Sequence, residues 1–197
     1  MSRPRPTDAP AGRGDGPTLA ERLRRRIARE GALSFRDWME AALYDERDGY
    51  YRRRARARWG RAGDYRTSPE RTPLFAATFA RYFATLYEEL GRPPTLHLVE
   101  AGGGAGHFAA GVLRTLERDA PALFGALRYV FDEAGEDARE RAAQLLAPFA
   151  GRVEFRPIES IGEPPAFCVV FSNELLDALP VHLVRVRAEP GRLSRLG

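Results

Sequence analysis

TLHLVEAGGGAGHF, residues Thr95 to Phe108, is the stretch from which the rest of the chain is read. Leu96, Leu98 and Val99 form a short apolar run, as a strand covered on both faces requires. Glu100 closes that strand. Gly102, Gly103, Gly104 and Gly106 then remove four β-carbons in quick succession. A backbone without side chains turns sharply, takes positive φ and lies close against a ligand. From His107 a helix follows, with Phe108, Val112, Leu113 and Leu116 at the spacing that packs it back on the sheet. The glycine pattern is E-x-G-x-G-x-G, whereas a dinucleotide turn has G-x-G-x-x-G. It reads either as a nucleotide-type ligand turn or as a plain strand-to-helix turn with spare glycines.

On the N-terminal side, residues 1–16, MSRPRPTDAPAGRGDG, are rich in Pro, Gly and charge and read as a disordered tail. Thr18-x-x-Glu21 is a capping box for a helix whose stripe is Leu19, Leu23 and Ile27 and whose stop is Gly31. Ser34-x-x-Asp37 opens another, with Phe35, Met39 and Leu43 expected inward. Arg52 to Arg58 form a basic run beside Trp59. It reads first as a solvated loop, with RNA or an acidic partner as the other reading. GDYRTSPE, residues 63–70, reads as an ordered polar loop, with Ser68-Pro69-Glu70 placed to cap the next helix. That helix, near 72–90, carries Phe75, Phe79, Phe83, Leu86 and Leu90, a core stripe.

On the C-terminal side, Leu127 to Phe131 read as a second strand ending in Asp132-Glu133. An acid at that end accepts hydrogen bonds from ribose hydroxyls. Glu133 is the choice and Asp132 the alternate, against the reading of a plain surface acid. A helix over 136–148 turns Ala142, Leu145 and Leu146 inward, and Val153 and Phe155 mark a third strand. AFCVVF, residues 166–171, is apolar throughout and is expected to be a central fourth strand. This order implies an α/β fold with a doubly wound, mainly parallel sheet. Ligands of such sheets bind beyond the carboxyl ends of the strands. Glu100, Gly102, Gly104, Gly106, Glu133 and the residues after Phe171 therefore share one expected crevice.

The 197 residues allow one domain with a full core, and a 44% hydrophobic content suits a globular protein. The net charge is +4, and all 31 basic residues are arginine. Base composition of the genome accounts for that bias better than nucleic-acid binding does. Cys168 is alone, and no Cys/His cluster suggests a metal, which fits an intracellular protein. No apolar run reaches the ~20 residues that span a membrane.

Specific resemblance begins after Phe171. SNELLDALPV, residues 172–181, resembles the N-E-x-x-D-A-L-P-V segment of the MidA family of class I S-adenosylmethionine (SAM) methyltransferases. These are bacterial and mitochondrial relatives of a complex I assembly factor that methylates a protein arginine. SFRDWMEAALYDERDGYY, GDYRTSPE followed by LF, and VEAGGGAGHFAAGVLR resemble three further family segments, in the family's order. Together they cover residues 33–185. The resemblance implies SAM as cofactor, cupped as an amino acid and a ribose with no pyrophosphate to place. It implies Gly102, Gly104 and Gly106 as its turn, Glu100 and Glu133 beside it, and Asp64, Thr67 and Ser68 lining the pocket. Glu174 and Asp177 are then expected to orient and deprotonate a substrate guanidinium, with Asn173 fixing either ligand. The plainer reading of NELLDALP is a helix start capped by Ser172 or Asn173.

Gly103 stands where the family has proline, implying a looser turn. The fold expected is of class I methyltransferase, Rossmann-like type: a tail (1–16), an N-terminal helical extension (17–92) and a SAM-binding core (93–197) lacking the last strands of a seven-stranded sheet. The function expected is methyl transfer to a protein arginine, and the alternatives are a non-catalytic SAM-binding assembly factor and an RNA-directed methyltransferase. The partners expected are a protein substrate and a second copy of the chain, with no membrane and no nucleic acid. The compartment expected is the cytoplasm of a bacterium or the mitochondrion of a eukaryote.

Overall fold

A computed structural model describes residues 16–52, 72–163, 165–186 and 193–195. The chain divides into two compact units, one built from residues 51–179 and the other from 1–50 with 180–197.

In the larger unit, α3 (Pro73–Glu89) precedes β1 (Leu96–Ala101), α4 (His107–Asp119), α5 (Pro121–Ala126), β2 (Leu127–Asp132), α6 (Glu136–Leu146), β3 (Val153–Phe155) and β4 (Cys168–Ser172). All four strands are parallel, in the order β3-β2-β1-β4. The chain moves outward from β1 through β2 to β3, then returns to the far side of β1. That reversal beside β1 is the switch point at which a parallel sheet opens a ligand crevice. One face of the sheet is packed by α3, α4 and α6 around Leu98, Tyr129, Phe131, Phe83, Leu113 and Leu146. Leu96, Leu98 and Val99 are each 1% exposed, as a strand covered on both faces demands.

Helices α3 and α4 approach closely because position 111 is glycine: a β-carbon there would lie 2.5 Å from Ala76 Cβ. Phe79, Phe108 and Phe171 bind α3, α4 and β4 together. Phe108 and Phe171 stack at 4.2 Å between centroids, and Phe79 meets Phe171 edge-on at 4.9 Å.

Several expectations are corrected. AFCVVF, expected to be central and covered, pairs with β1 among the described residues, and its Val170 is 60% exposed. β1 extends one residue past Glu100, to Ala101. The helix expected to run to 148 ends at Leu146, where Pro148 forces a 3-10 turn over Ala147–Phe149. α5, headed by Pro121, is a short helix that the periodicity does not predict. The cap of α3 is Thr72, whose hydroxyl accepts from the Leu74 amide, followed by Pro73. Leu90 lies beyond the helix and is exposed. Residues 53–71, which include Ser68-Pro69-Glu70 and most of the arginine run, lie outside the described residues.

In the smaller unit, α1 (Leu19–Glu30) starts at the Thr18 capping box and stops at Gly31, as expected. α2 (Phe35–Tyr44) starts at Ser34, whose hydroxyl accepts from the Asp37 amide. Arg22 ties α1 to the chain after α2, reaching Asp45 at 2.6 Å and Asp48 at 2.9 Å. Neither helix buries a residue. Phe35, expected inward, and Ile27 of the α1 stripe are exposed, because amphipathic spacing selects a face without supplying its partner. β5 (Val184–Val186) pairs antiparallel with β6 (Leu193–Arg195).

Candidate functional site

The turn after β1 is held at both ends by backbone. The amides of Gly102 and Gly103 both donate to the Asp132 carbonyl, at 2.9 and 3.0 Å, and the Gly106 amide donates to Gly103 at 3.1 Å. Gly102, Gly104 and Gly106 have φ of 71°, 57° and 82°, the left-handed region that favours glycine. Two of them are also needed for space. A β-carbon on Gly102 would lie 2.8 Å from Leu175 Cδ1, and one on Gly106 3.0 Å from Ala142 Cβ. Gly103, where the resemblance implies a looser turn, lies against a residue of β2. The ring of Phe131 fills the space beside its α-carbon, and a β-carbon there would overlap ring atoms Cε2 and Cζ. Gly106 caps α4 without a side-chain bond.

Glu133 reaches this turn. Its carboxylate accepts from the Gly104 amide at 2.8 Å and from the Gly135 amide at 2.6 Å. Asp132 turns the other way, toward the Ile158 amide, and partial burial raises its carboxyl above the usual value. The geometry thus separates the two neighbouring acids, bringing Glu133 and not Asp132 to the glycines.

Glu100 is placed differently from its expected partners. It is 4% exposed and accepts a 2.7 Å hydrogen bond from the Tyr129 hydroxyl. Burial pushes its carboxyl up to about 8, the Tyr129 bond opposes that, and the charge of Glu133 adds to it. Tyr129 is itself fully buried and titrates well above its ordinary range. At neutral pH Glu100 is a protonated carboxyl beneath the turn.

The segment after β4 lies over the same turn, since Leu175 meets Gly102. Asn173 is half-buried and Glu174 is exposed, with a left-handed φ of 52° that is uncommon outside glycine. Asp177 is exposed on a 3-10 turn, Leu176–Ala178. The helix start expected at Ser172 or Asn173 is not formed: the turn begins after Leu175 and has no side-chain cap. Asp64, Thr67 and Ser68 lie outside the described residues.

Three residues that shape the site do not stand out in the sequence. Tyr129 and Phe131 read as ordinary strand residues, yet they alternate on one face of β2 toward Glu100 and Gly103. Their i, i+2 spacing with Glu133 is the one signal that could have found them. Leu175 carries no signal, since its contact is made across the sheet.

A parallel sheet, a positive-φ glycine turn at its switch point and an acid at the end of the next strand define an α/β protein with a crevice for a nucleoside-type ligand. The family model described as "Putative S-adenosyl-L-methionine-dependent methyltransferase" matches residues 78–193. A Drosophila melanogaster protein named protein arginine methyltransferase NDUFAF7 homolog, mitochondrial, is 30% identical over 188 residues, covering 86% of this chain and 42% of that one. The Mus musculus protein arginine methyltransferase NDUFAF7, mitochondrial, is 24% identical over 186 residues, covering 83% and 42%. A Burkholderia thailandensis crystal structure bound to S-adenosyl-homocysteine superposes with a TM-score of 0.68 and 35% identity, covering 87% of this chain and 44% of that one. The chain therefore belongs to the S-adenosyl-L-methionine-dependent methyltransferase family of the MidA type. It spans less than half the length of these relatives. Among the described residues no helix is long and apolar enough to cross a membrane.

Proposed function

We propose that this chain carries the SAM-binding crevice of a protein arginine methyltransferase. The observation that carries the reading is the contact of Leu175 with Gly102, which lays the segment bearing Asn173, Glu174 and Asp177 over the glycine turn. The turn fits the cofactor because its glycines carry no side chains and its conformation is held by the Asp132 carbonyl. Glu133 supplies the acceptor for ribose hydroxyls, and Gly102, Gly104 and Gly106 give close backbone approach. Bound SAM supplies an electrophilic methyl on a sulfonium.

The chain's own residues do the rest. Glu174 and Asp177 would hold the guanidinium fork and accept the proton it loses as the new carbon–nitrogen bond forms and the sulfur–methyl bond breaks, with S-adenosylhomocysteine as the leaving group. Asn173 orients the substrate through its amide. Alignment of nucleophile and methyl is the larger part of the acceleration. The arginine-methyltransferase names of the Drosophila and mouse relatives support the choice of substrate.

Calorimetry with SAM tests the crevice, with Gly104→Arg as the variant that fills the turn. Wild-type binding lost in that variant supports the reading, and equal binding by both refutes it. Transfer is tested with tritiated SAM and proteins of a cell extract, followed by analysis for methylarginine. Glu174→Gln and Asp177→Asn should each keep SAM binding and lower transfer by at least about 100-fold. Binding by the wild type with no label transferred would establish the second reading, a non-catalytic SAM-binding factor.

A further inference from the structure

We infer that Phe131 is a positioning residue for the cofactor turn: its ring sets the height of Gly103, and with it the affinity for SAM. This rests on the reading just proposed.

Gly103 differs in kind from its three neighbours. Gly102, Gly104 and Gly106 take positive φ, so their conformation alone favours glycine. Gly103 is not among the positive-φ glycines, so that constraint does not apply to it. What excludes a side chain there is the Phe131 ring, against which the α-carbon rests. Phe131 is 1% exposed and is braced from behind by Phe155, with centroids 5.1 Å apart. It pairs in register with Glu100, two residues before the turn begins.

Three consecutive residues of β2 and its end thus support the turn by separate means. Phe131 supports it by volume, Asp132 by its carbonyl to Gly102 and Gly103, and Glu133 by its carboxylate to Gly104. The last two are hydrogen bonds and persist when the ring is changed. Removing the ring therefore lets the turn settle without unfolding it, because a packed contact surface yields only partly to a void. Displacement of a binding loop by a fraction of an ångström is felt in affinity.

The test is a double-mutant cycle read in two ways, by calorimetric affinity for S-adenosyl-homocysteine and by thermal midpoint. Phe131→Leu opens space beneath Gly103, and Gly103→Ala pushes the turn away from the ring. Each should weaken binding roughly tenfold, while the pair together, in which the new methyl occupies the vacated volume, should return to within about threefold of wild type. Should Gly103→Ala fail to fold, Phe131→Leu and the double variant still make the comparison. Binding within twofold of wild type in every folded variant, with only the midpoint lowered, would reduce Phe131 to ordinary core and overturn the inference. Losses that simply add in the double variant would overturn it too. No binding by the wild type would instead overturn the reading of the crevice itself.

Discussion

Replacing Glu100 with glutamine should stabilise the protein at alkaline pH and leave its stability at pH 5 nearly unchanged. Glu100 is buried with one partner, the Tyr129 hydroxyl, and its carboxyl is pushed from 4.5 up to about 8, chiefly by loss of hydration. A carboxyl whose pKa is raised by folding contributes its full stability below the unfolded value. That contribution falls as pH rises through the folded value. Between pH 5 and 8 the folded state keeps the proton that the unfolded state releases. Each pH unit then costs about 1.4 kcal/mol. The accumulated cost is about 3 kcal/mol at pH 7 and about 5 kcal/mol above pH 8, against a usual total of about 5–15 kcal/mol.

Glutamine keeps the shape and accepts the Tyr129 hydrogen bond but does not ionise, so the cost disappears. Urea unfolding of both proteins, followed by circular dichroism at each pH from 5 to 8, gives the difference directly. Other groups titrate alike in the two and cancel. A difference that stays flat across this range, or a glutamine variant less stable at pH 8, would refute the argument that burial sets this carboxyl.

Tyr129→Phe leaves the Glu100 carboxyl buried without its donor and should cost about 1–3 kcal/mol at pH 5. Because the lost bond opposes the upward shift, the pH-dependent loss should also extend further above 8 in a denaturant series. Gly111→Ala brings two methyl groups of α4 and α3 into overlap and should cost about 1–3 kcal/mol, read as a lowered midpoint in scanning calorimetry. A midpoint equal to wild type would mean the two helices are not in close contact. Gly106→Ala combines a left-handed φ with contact against Ala142, and should destabilise by more than about 1 kcal/mol in urea unfolding. Thr18→Ala removes the hydroxyl that accepts from the Glu21 amide, leaving only the Thr18 amide to Glu21 bond of the capping box, and should cost about 1 kcal/mol in helix stability, seen as reduced ellipticity on heating.

Local chemistry makes much of this protein legible in its sequence. The capping box at Thr18, the stop at Gly31 and the glycine turn after β1 are short-range devices, and each lies where its residues predict. The parallel sheet follows from the alternation of strands and helices, and the placing of the crevice follows from that sheet. The family, too, is readable from segment order alone.

Where two elements meet cannot be read in this way. Apolar residues make AFCVVF look covered, yet Val170 is 60% exposed, because burial depends on which neighbours pack against a strand. Asp132 and Glu133 are equivalent acids in a sequence, and the pleat sends one toward Ile158 and the other to Gly104. The titration of Glu100 depends on the burial around it and on Tyr129, 29 positions away. Gly103 reads as a loosened turn because the ring that occupies its side-chain space belongs to another strand. Turns and caps are encoded within a few residues by backbone sterics and single hydrogen bonds. Burial and steric fit are properties of pairs distant in sequence, so only the folded chain decides them.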